Sequence, residues 1–125
     1  MKKFIWLFGE NLGNTYNNNS YYFWDEVCNV KDEINKYFIL SRNKQNLDFY
    51  KTLPQDKQDK IVWKNSLKHM ELFKKADMYF VTLSYRDILP EEILGKPIKL
   101  IIKKPVIYLP VSYTHLRAHE TRGNL

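Results

Sequence analysis

The chain has 125 residues, with 20 Lys and Arg against 14 Asp and Glu, a net charge of +6 and a pI near 9.3. That length suffices for one small domain with a core, whereas many α/β enzymes need two such domains. The basic balance suits anionic partners such as nucleotide, polyphosphate, nucleic acid or anionic lipid. A single cysteine, Cys28, excludes an internal disulfide and makes a reducing cytosolic setting the expectation. Lys2 and Lys3 lead only into Phe4 to Phe8, too short for a secretory h-region. No apolar run reaches the ~20 residues of a membrane-spanning helix, so any membrane association is expected to be peripheral.

Phe4 to Phe8 is a continuous apolar run ending at Gly9, the pattern of a strand buried on both faces. A polar segment dense in turn formers, Glu10 to Ser20, follows. A helix is expected from about Tyr21 to Asp32. Asn19 or Ser20 can cap it, Asp25 and Glu26 lie in its first turns, and Phe23, Val27, Val30 and Ile34 recur at helical spacing. Tyr37 to Leu40 reads as a second strand, Asn43 to Leu53 as a short helix or ordered loop stopped by Pro54, and Ile61 to Trp63 as a third strand. Asn65 or Ser66 then caps a helix to about Ala76, with Leu67, Met70 and Phe73 on one face. Met78 to Leu83 is a fourth strand. Pro90-Glu91-Glu92 reads as a first helical turn, with proline and acids where the dipole favours them. Ile98 to Ile102 and Val106 to Leu109 complete the pattern as strands. Strands alternating with helices predict an α/β, Rossmann-like parallel sheet covered on both faces.

In such sheets ligands bind beyond the carboxyl ends of the strands. The loops there are Gly9 to Ser20, Ser41-Arg42, Lys64-Asn65-Ser66 and Ser84 to Asp87, all carrying small hydroxyls, amides or Arg near a helix start. Each residue type is equally suited to capping a helix or closing a turn, and Phe8-Gly-Glu-Asn-Leu-Gly13 lacks the G-x-G-x-x-G spacing of a dinucleotide loop. Catalytic constellations are sparse. Cys28 sits on a helical face with Trp24 and Val27, as a structural thiol would. His69 lies mid-helix between Lys68 and Met70, a packing or solvated position. No zinc or calcium pattern appears, and no metal or cofactor is expected. Lys64, Lys68, Lys74 and Lys75 against Glu71 give the helix after Ser66 a basic side, read as the solvated face of a core-packing helix rather than a membrane-resting one.

Composition changes abruptly near the C-terminus. Up to Pro110 there are 16 Lys and 2 Arg; residues 111–125 hold 0 Lys and 2 Arg, together with His115 and His119. The stretch Val111 to Thr121 resembles one reading frame of a common transposase sequencing adapter. Residues 110–125 are therefore expected to be a non-native, disordered tail, with the natural sequence ending at about Leu109. The i,i+4 pair His115 and His119 is given no function. Without Arg117, Arg122 and Glu120 the charge falls from +6 to +5.

The segment Trp6-Leu-Phe-Gly-Glu-Asn-Leu-Gly-Asn-Thr-Tyr-Asn-Asn-Asn-Ser-Tyr-Tyr-Phe-Trp24 resembles the opening of the CDP-glycerol:poly(glycerophosphate) glycerophosphotransferase family: a strand ending in F-G, a polar loop, and an N-N-S-containing entry into a helix. Lys36 to Leu40, the Asn65-Ser66 pair opening a helix, Ala76 to Ser84, and Lys104 to Leu109 match further, in order, over about residues 4–109. The resemblance implies that 1–109 is part of the N-terminal Rossmann-like domain of a two-domain, GT-B-like transferase. Such enzymes move glycerol phosphate, or a related polyol phosphate, from a CDP-linked donor to a lipid-linked teichoic-acid-type acceptor at the cytoplasmic face of the membrane. It offers Gly9, Glu10, Asn19, Ser20, Asn65, Ser66 and Ser84 as substrate-side or loop-shaping positions. The histidine of the family's H-G-T motif should follow Leu109, where Pro110-Val111-Ser112 stand instead. No catalytic residue is carried over, and the chain is expected to be inactive alone.

Two other readings compete. A small basic α/β module for nucleic acid or another anionic partner is permitted by 9 Tyr, 7 Phe and the positive charge. Those aromatics fall in strands and on helix faces, where a core claims them, so no nucleic-acid partner is expected. A flavodoxin-type nucleotide-binding protein is disfavoured because no phosphate loop follows the first strand.

Overall fold

The computed structural model describes residues 4–14, 19–82 and 84–109. Five strands, β1 (Phe4–Phe8), β2 (Ile34–Leu40), β3 (Ile61–Trp63), β4 (Met78–Val81) and β7 (Val106–Tyr108), form one sheet in the order β3-β2-β1-β4-β7. Every pairing in it is parallel. Helices α1 (Asn19–Val27), α2 (Lys44–Thr52), α3 (Gln55–Gln58) and α4 (Leu67–Lys75) lie in the connections. The expectation of an α/β parallel sheet is met.

Strand residues alternate between faces, and both faces are apolar because both are covered. Leu7, Ile39, Val62, Tyr79 and Val81 form one core with Leu72 and Phe73 of α4. Phe8, Phe38, Leu40, Ile61 and Phe80 form the other with Trp24 of α1, against which Phe49 and Tyr50 of α2 pack. The second core is the aromatic one. The Phe8 and Phe80 rings stack with centroids 4.5 Å apart, and the fully buried Trp24 indole donates to the Lys36 carbonyl at 3.0 Å. A buried indole N–H left unpaired would be costly, so this bond sets the rotation of α1 on the sheet.

The structure corrects the sequence in four places. Helix α1 stops at Val27, not near Asp32, because the buried Lys36 ammonium reaches its last turn and bonds the Val27 carbonyl at 2.9 Å while pairing with Asp32. Ile34 is consequently the first residue of β2, whose stretch Ile34 to Phe38 pairs with β1 from Phe4 to Phe8. Pro54 ends α2 but also opens the short α3, which the sequence did not suggest. Pro90-Glu91-Glu92 is not a helical turn. Asn65 Oδ1 takes the backbone N–H groups of Glu91 and Glu92 at 2.8 and 3.3 Å, and β5 (Glu92–Ile93) pairs antiparallel with β6 (Lys96–Pro97) across a turn with positive φ at Leu94 and Gly95. Ile98 to Ile102 pairs with no strand. Leu100 and Ile102 instead pack against the first core, and Val106–Tyr108 takes the position beside β4. Leu83 and the expected tail from Pro110, with His115 and His119, lie outside the described residues.

Candidate functional site

All five parallel strands point their carboxyl ends to one edge of the sheet, where the loop after β1 is the meeting point of the others. Asn11, Leu12 and Gly13 take successive positive φ values of 45, 58 and 89°. Glycine accepts that region freely; the asparagine and above all the leucine do not. The strain is held by bonds from three other strand ends. The Leu12 N–H donates to Asp87 Oδ1 at 2.8 Å, from the turn beyond β4. The Leu12 carbonyl accepts from Lys64 Nζ at 2.7 Å, from the end of β3. The Gly13 carbonyl accepts from the Ser41 N–H at 2.6 Å, from the end of β2. The four loops that the sequence singles out are thus tied together by their own polar groups.

Asp87 is fully buried, and its second oxygen accepts from the Thr82 N–H at 3.0 Å and the Thr82 hydroxyl at 3.3 Å. With Ser84 it forms a reciprocal cap on the 3-10 turn Tyr85–Asp87. Gly9 lies against this turn so closely that a Cβ would stand 2.4 Å from the Asp87 carbonyl oxygen. Lys64 also donates to the Arg86 carbonyl at 3.2 Å, and burial lowers the basicity of its ammonium, partly offset by Glu91. Glu91 pairs with Arg86 through both oxygens at 2.9 and 3.2 Å, which holds its carboxyl below the ordinary glutamate value.

His69 is the hidden hub of the α4 side. Its ring is fully buried, Nδ1 accepts from the Asn65 N–H at 2.9 Å, and Nε2 lies 2.7 Å from the Ile88 carbonyl. Because Nδ1 accepts, Nε2 carries the proton and donates it to Ile88. Burial pushes the imidazole down to about 4 against the Ile88 bond that opposes the shift, with nearby Lys64 reinforcing it. Both nitrogens are engaged, so His69 is a structural bridge and no acid or base for a substrate. The unfolded chain binds this proton below its ordinary value of 6.5, the folded chain only below about 4. Stability from His69 is therefore complete above the first value and lost as pH falls towards the second. Between about pH 7.5 and pH 5.0 we expect a loss of about 2 kcal/mol, of about 3 in all. Urea unfolding at the two pH values checks this, and His69→Gln should remove most of the difference.

The candidate residues gather at this edge, where Glu10, Ser20, Asn65, Ser66 and Ser84 bond to groups of the chain itself. Ser66 caps α4 by accepting from the His69 N–H at 3.1 Å, and Ser84 accepts from the Arg86 N–H at 3.1 Å. The buried Glu10 carboxylate accepts from the Tyr21 N–H at 2.9 Å and meets the start of α1, where a phosphate would otherwise be favoured. Ser20 is buried with its hydroxyl 3.4 Å from the Phe80 carbonyl. Asn65, at φ 65°, joins β3 to the Glu91 turn. Asn19 is the first residue of α1. Asn43 similarly caps α2, bonding the Asn46 N–H at 2.8 Å.

Three residues central to this edge, Asp87, Lys64 and His69, are not among the site positions offered by the sequence, although two of them fall in its loops. Asp87 had a legible signal, the S-x-x-D spacing from Ser84. Lys64 was read with the solvated lysines of α4, but its side chain is only 8% exposed and turns inward. His69 carried no local sign of burial. Cys28 lies just past α1, at the opposite end of that helix from the loop after β1, and burial pushes its thiol up to about 11, leaving little thiolate at neutral pH. Among the described residues no cluster of His, Cys, Asp or Glu is arranged to hold a metal ion, and no helix is long and apolar enough to cross a membrane. Comparison with protein-family models, curated proteins and solved structures finds no match.

Proposed function

We propose that the chain is part of the N-terminal domain of a CDP-glycerol glycerophosphotransferase with a GT-B-like, two-domain fold. The observation that carries this reading is the order of the resembling segments on the fold. They fall on β1 with its pinned loop and α1, on β2, on the Asn65-Ser66 start of α4, on β4, and on β7. The loops that leave the first four converge on one edge, as expected of the domain wall that faces a partner domain across a cleft.

In the complete enzyme an acceptor hydroxyl attacks the β-phosphorus of the CDP-linked donor. The new oxygen–phosphorus bond forms as the phosphoanhydride bond breaks, and CMP leaves. A histidine beyond this chain serves as base or phosphate contact, and the donor is held mainly by the second domain. Gly9, Glu10, Asn19, Ser20, Asn65, Ser66 and Ser84 contribute by shaping the acceptor side of the cleft. Their role is one of position: bonds among the loops keep that wall rigid. The acceptor is a lipid-linked teichoic-acid-type polymer, and the enzyme works peripherally at the inner face of the cell membrane.

Two measurements test the reading. Sequencing the source DNA through the codon for Leu109 should continue into Gln-His-Gly-Thr, and the gene so completed should release CMP from CDP-glycerol. The chain of 125 residues should release none above a vector control. Genomic reads that run on into Val111-Ser-Tyr-Thr, or CMP release by the short chain, would count against it.

A further inference from the structure

Away from the strand ends, charge is most one-sided in residues 93–109, which hold Lys96, Lys99, Lys103 and Lys104 and no acidic residue. This run also exposes aliphatic and aromatic side chains that a solvated loop would not need. Leu94 is 82% exposed, Ile101 78% and Tyr108 58%. Leu100 and Ile102 are drawn onto the core, which turns the intervening Ile101 outward as a ridge. On one side of the ridge lies a groove of about 360 Å³ with Phe73 and Tyr79 in its wall, rimmed by Lys74, Lys99, Lys103 and Lys104. On the other side the ridge continues to Val106, Tyr108 and Tyr85. Lys104 reaches across to the Lys74 carbonyl at 2.6 Å, bringing its positive charge to the end of α4.

We infer that this ridge docks on an anionic lipid bilayer, with Ile101 entering the headgroup boundary, Tyr85 and Tyr108 at the level of the headgroups, and the lysine rim on lipid phosphates. The inference rests on the membrane-surface part of the reading above and not on its transferase chemistry. Charge selects the occupant. A second copy meeting this surface across a two-fold axis would set lysine rim against lysine rim with no carboxylate between them. Tyr85 and Tyr108 would suit the stacked bases of a single-stranded nucleic acid, but the most exposed side chains of the patch, Leu94 and Ile101, are aliphatic and have no stacking face. Aliphatic, tyrosine and lysine together are the composition of an interfacial anchor. The groove lies towards the amino ends of the strands, where α4 ends and β4 begins, while Tyr85 and Tyr108 carry the ridge to the carboxyl ends, beside the Ser84 to Asp87 turn of the candidate site.

Cosedimentation with vesicles tests the surface directly. The full chain is mixed with phosphatidylcholine vesicles, neutral or carrying about a third phosphatidylglycerol, at about 0.1 M salt. It should pellet with the anionic vesicles only and be released at about 0.5 M salt. The pair Lys99→Glu with Lys103→Glu should weaken binding at least about tenfold, and Ile101→Ser about threefold. An equally charged control, Lys31→Glu with Lys44→Glu at exposed positions elsewhere, should stay within about twofold. The inference fails if the chain ignores anionic vesicles, if Lys99→Glu with Lys103→Glu binds as the parent does, or if the control pair loses as much. Self-association without vesicles that Ile101→Ser abolishes would assign the ridge to a second copy and overturn it as well. None of these readouts involves CMP release, so the transferase reading stands or falls separately.

Discussion

Asp87→Ala is expected to lower the free energy of unfolding by about 2–5 kcal/mol, the largest effect of any single polar substitution at the strand ends. The alanine removes the acceptor for the Leu12 and Thr82 N–H groups at once. Each buried donor left unpaired costs about 1–3 kcal/mol. It also releases the positive-φ turn at Asn11 and Leu12, whose strain of about 1–3 kcal/mol per residue persists only while neighbours hold it. In urea the midpoint should fall by roughly 2 M or more, given a slope of about 1 kcal/mol/M, the low end of the range for a small domain. Amide exchange at Leu12 should accelerate beyond the global change. Asp87→Asn, which keeps one acceptor oxygen, should fall between. The exposed Asp48→Ala should move stability by less than about 0.5 kcal/mol. A midpoint for Asp87→Ala equal to that of Asp48→Ala would show that the loops are held some other way.

Gly9→Ala acts on the same contact from the other side. The added carbon would lie 2.4 Å from the Asp87 carbonyl oxygen, 2.9 Å from the carbonyl carbon and 2.9 Å from Ile88 Cγ2. Two of those atoms are backbone, so a rotamer change cannot relieve the clash; the turn must move off β1. The expected cost is about 1–3 kcal/mol, towards the upper end, read again as a fall in the urea midpoint. Because the two substitutions disturb one contact, Gly9→Ala with Asp87→Ala should cost less than the sum of the single changes. Strict additivity would separate the crowding at Gly9 from the Asp87 clamp.

Much of the sheet was legible because burial on both faces leaves an unmistakable run of apolar residues. Phe4 to Phe8, Tyr37 to Leu40, Ile61 to Trp63 and Met78 onward need no partner to be recognised as strands. The start of α4 at Asn65 or Ser66 was readable too, since a cap is a bond to a backbone group two or three residues away. Asn43 to Leu53 reads as either a short helix or an ordered loop, a choice that the Asn43 cap settles. The readings that failed were those in which a local pattern was outweighed by a distant partner. Ile34 matched the helical spacing of α1, yet pairing with Phe4 at the head of a five-residue register along β1 claimed it. Pro90-Glu91-Glu92 had the composition of a helix start, yet Asn65, 26 and 27 positions earlier, had already taken two of its backbone donors. Ile98 to Ile102 was apolar enough for a strand, but its side chains seal the core edge while Val106–Tyr108 makes the pairing.

The sequence by itself determined an α/β chain with a parallel sheet and located the loops at which a ligand would be met, because apolar period and capping chemistry are local. Only the tertiary structure decided that those loops are bound to one another. The bonds from Asp87 and Lys64 to Leu12 span 75 and 52 positions. No spacing rule reaches that far; they exist because parallel pairing brings four strand ends to one edge, where burial leaves each polar group no cheaper partner than its neighbour. The same pairing turned one isoleucine of an apolar run outward among lysines, which is where the chain's positive charge acquires a surface to act from.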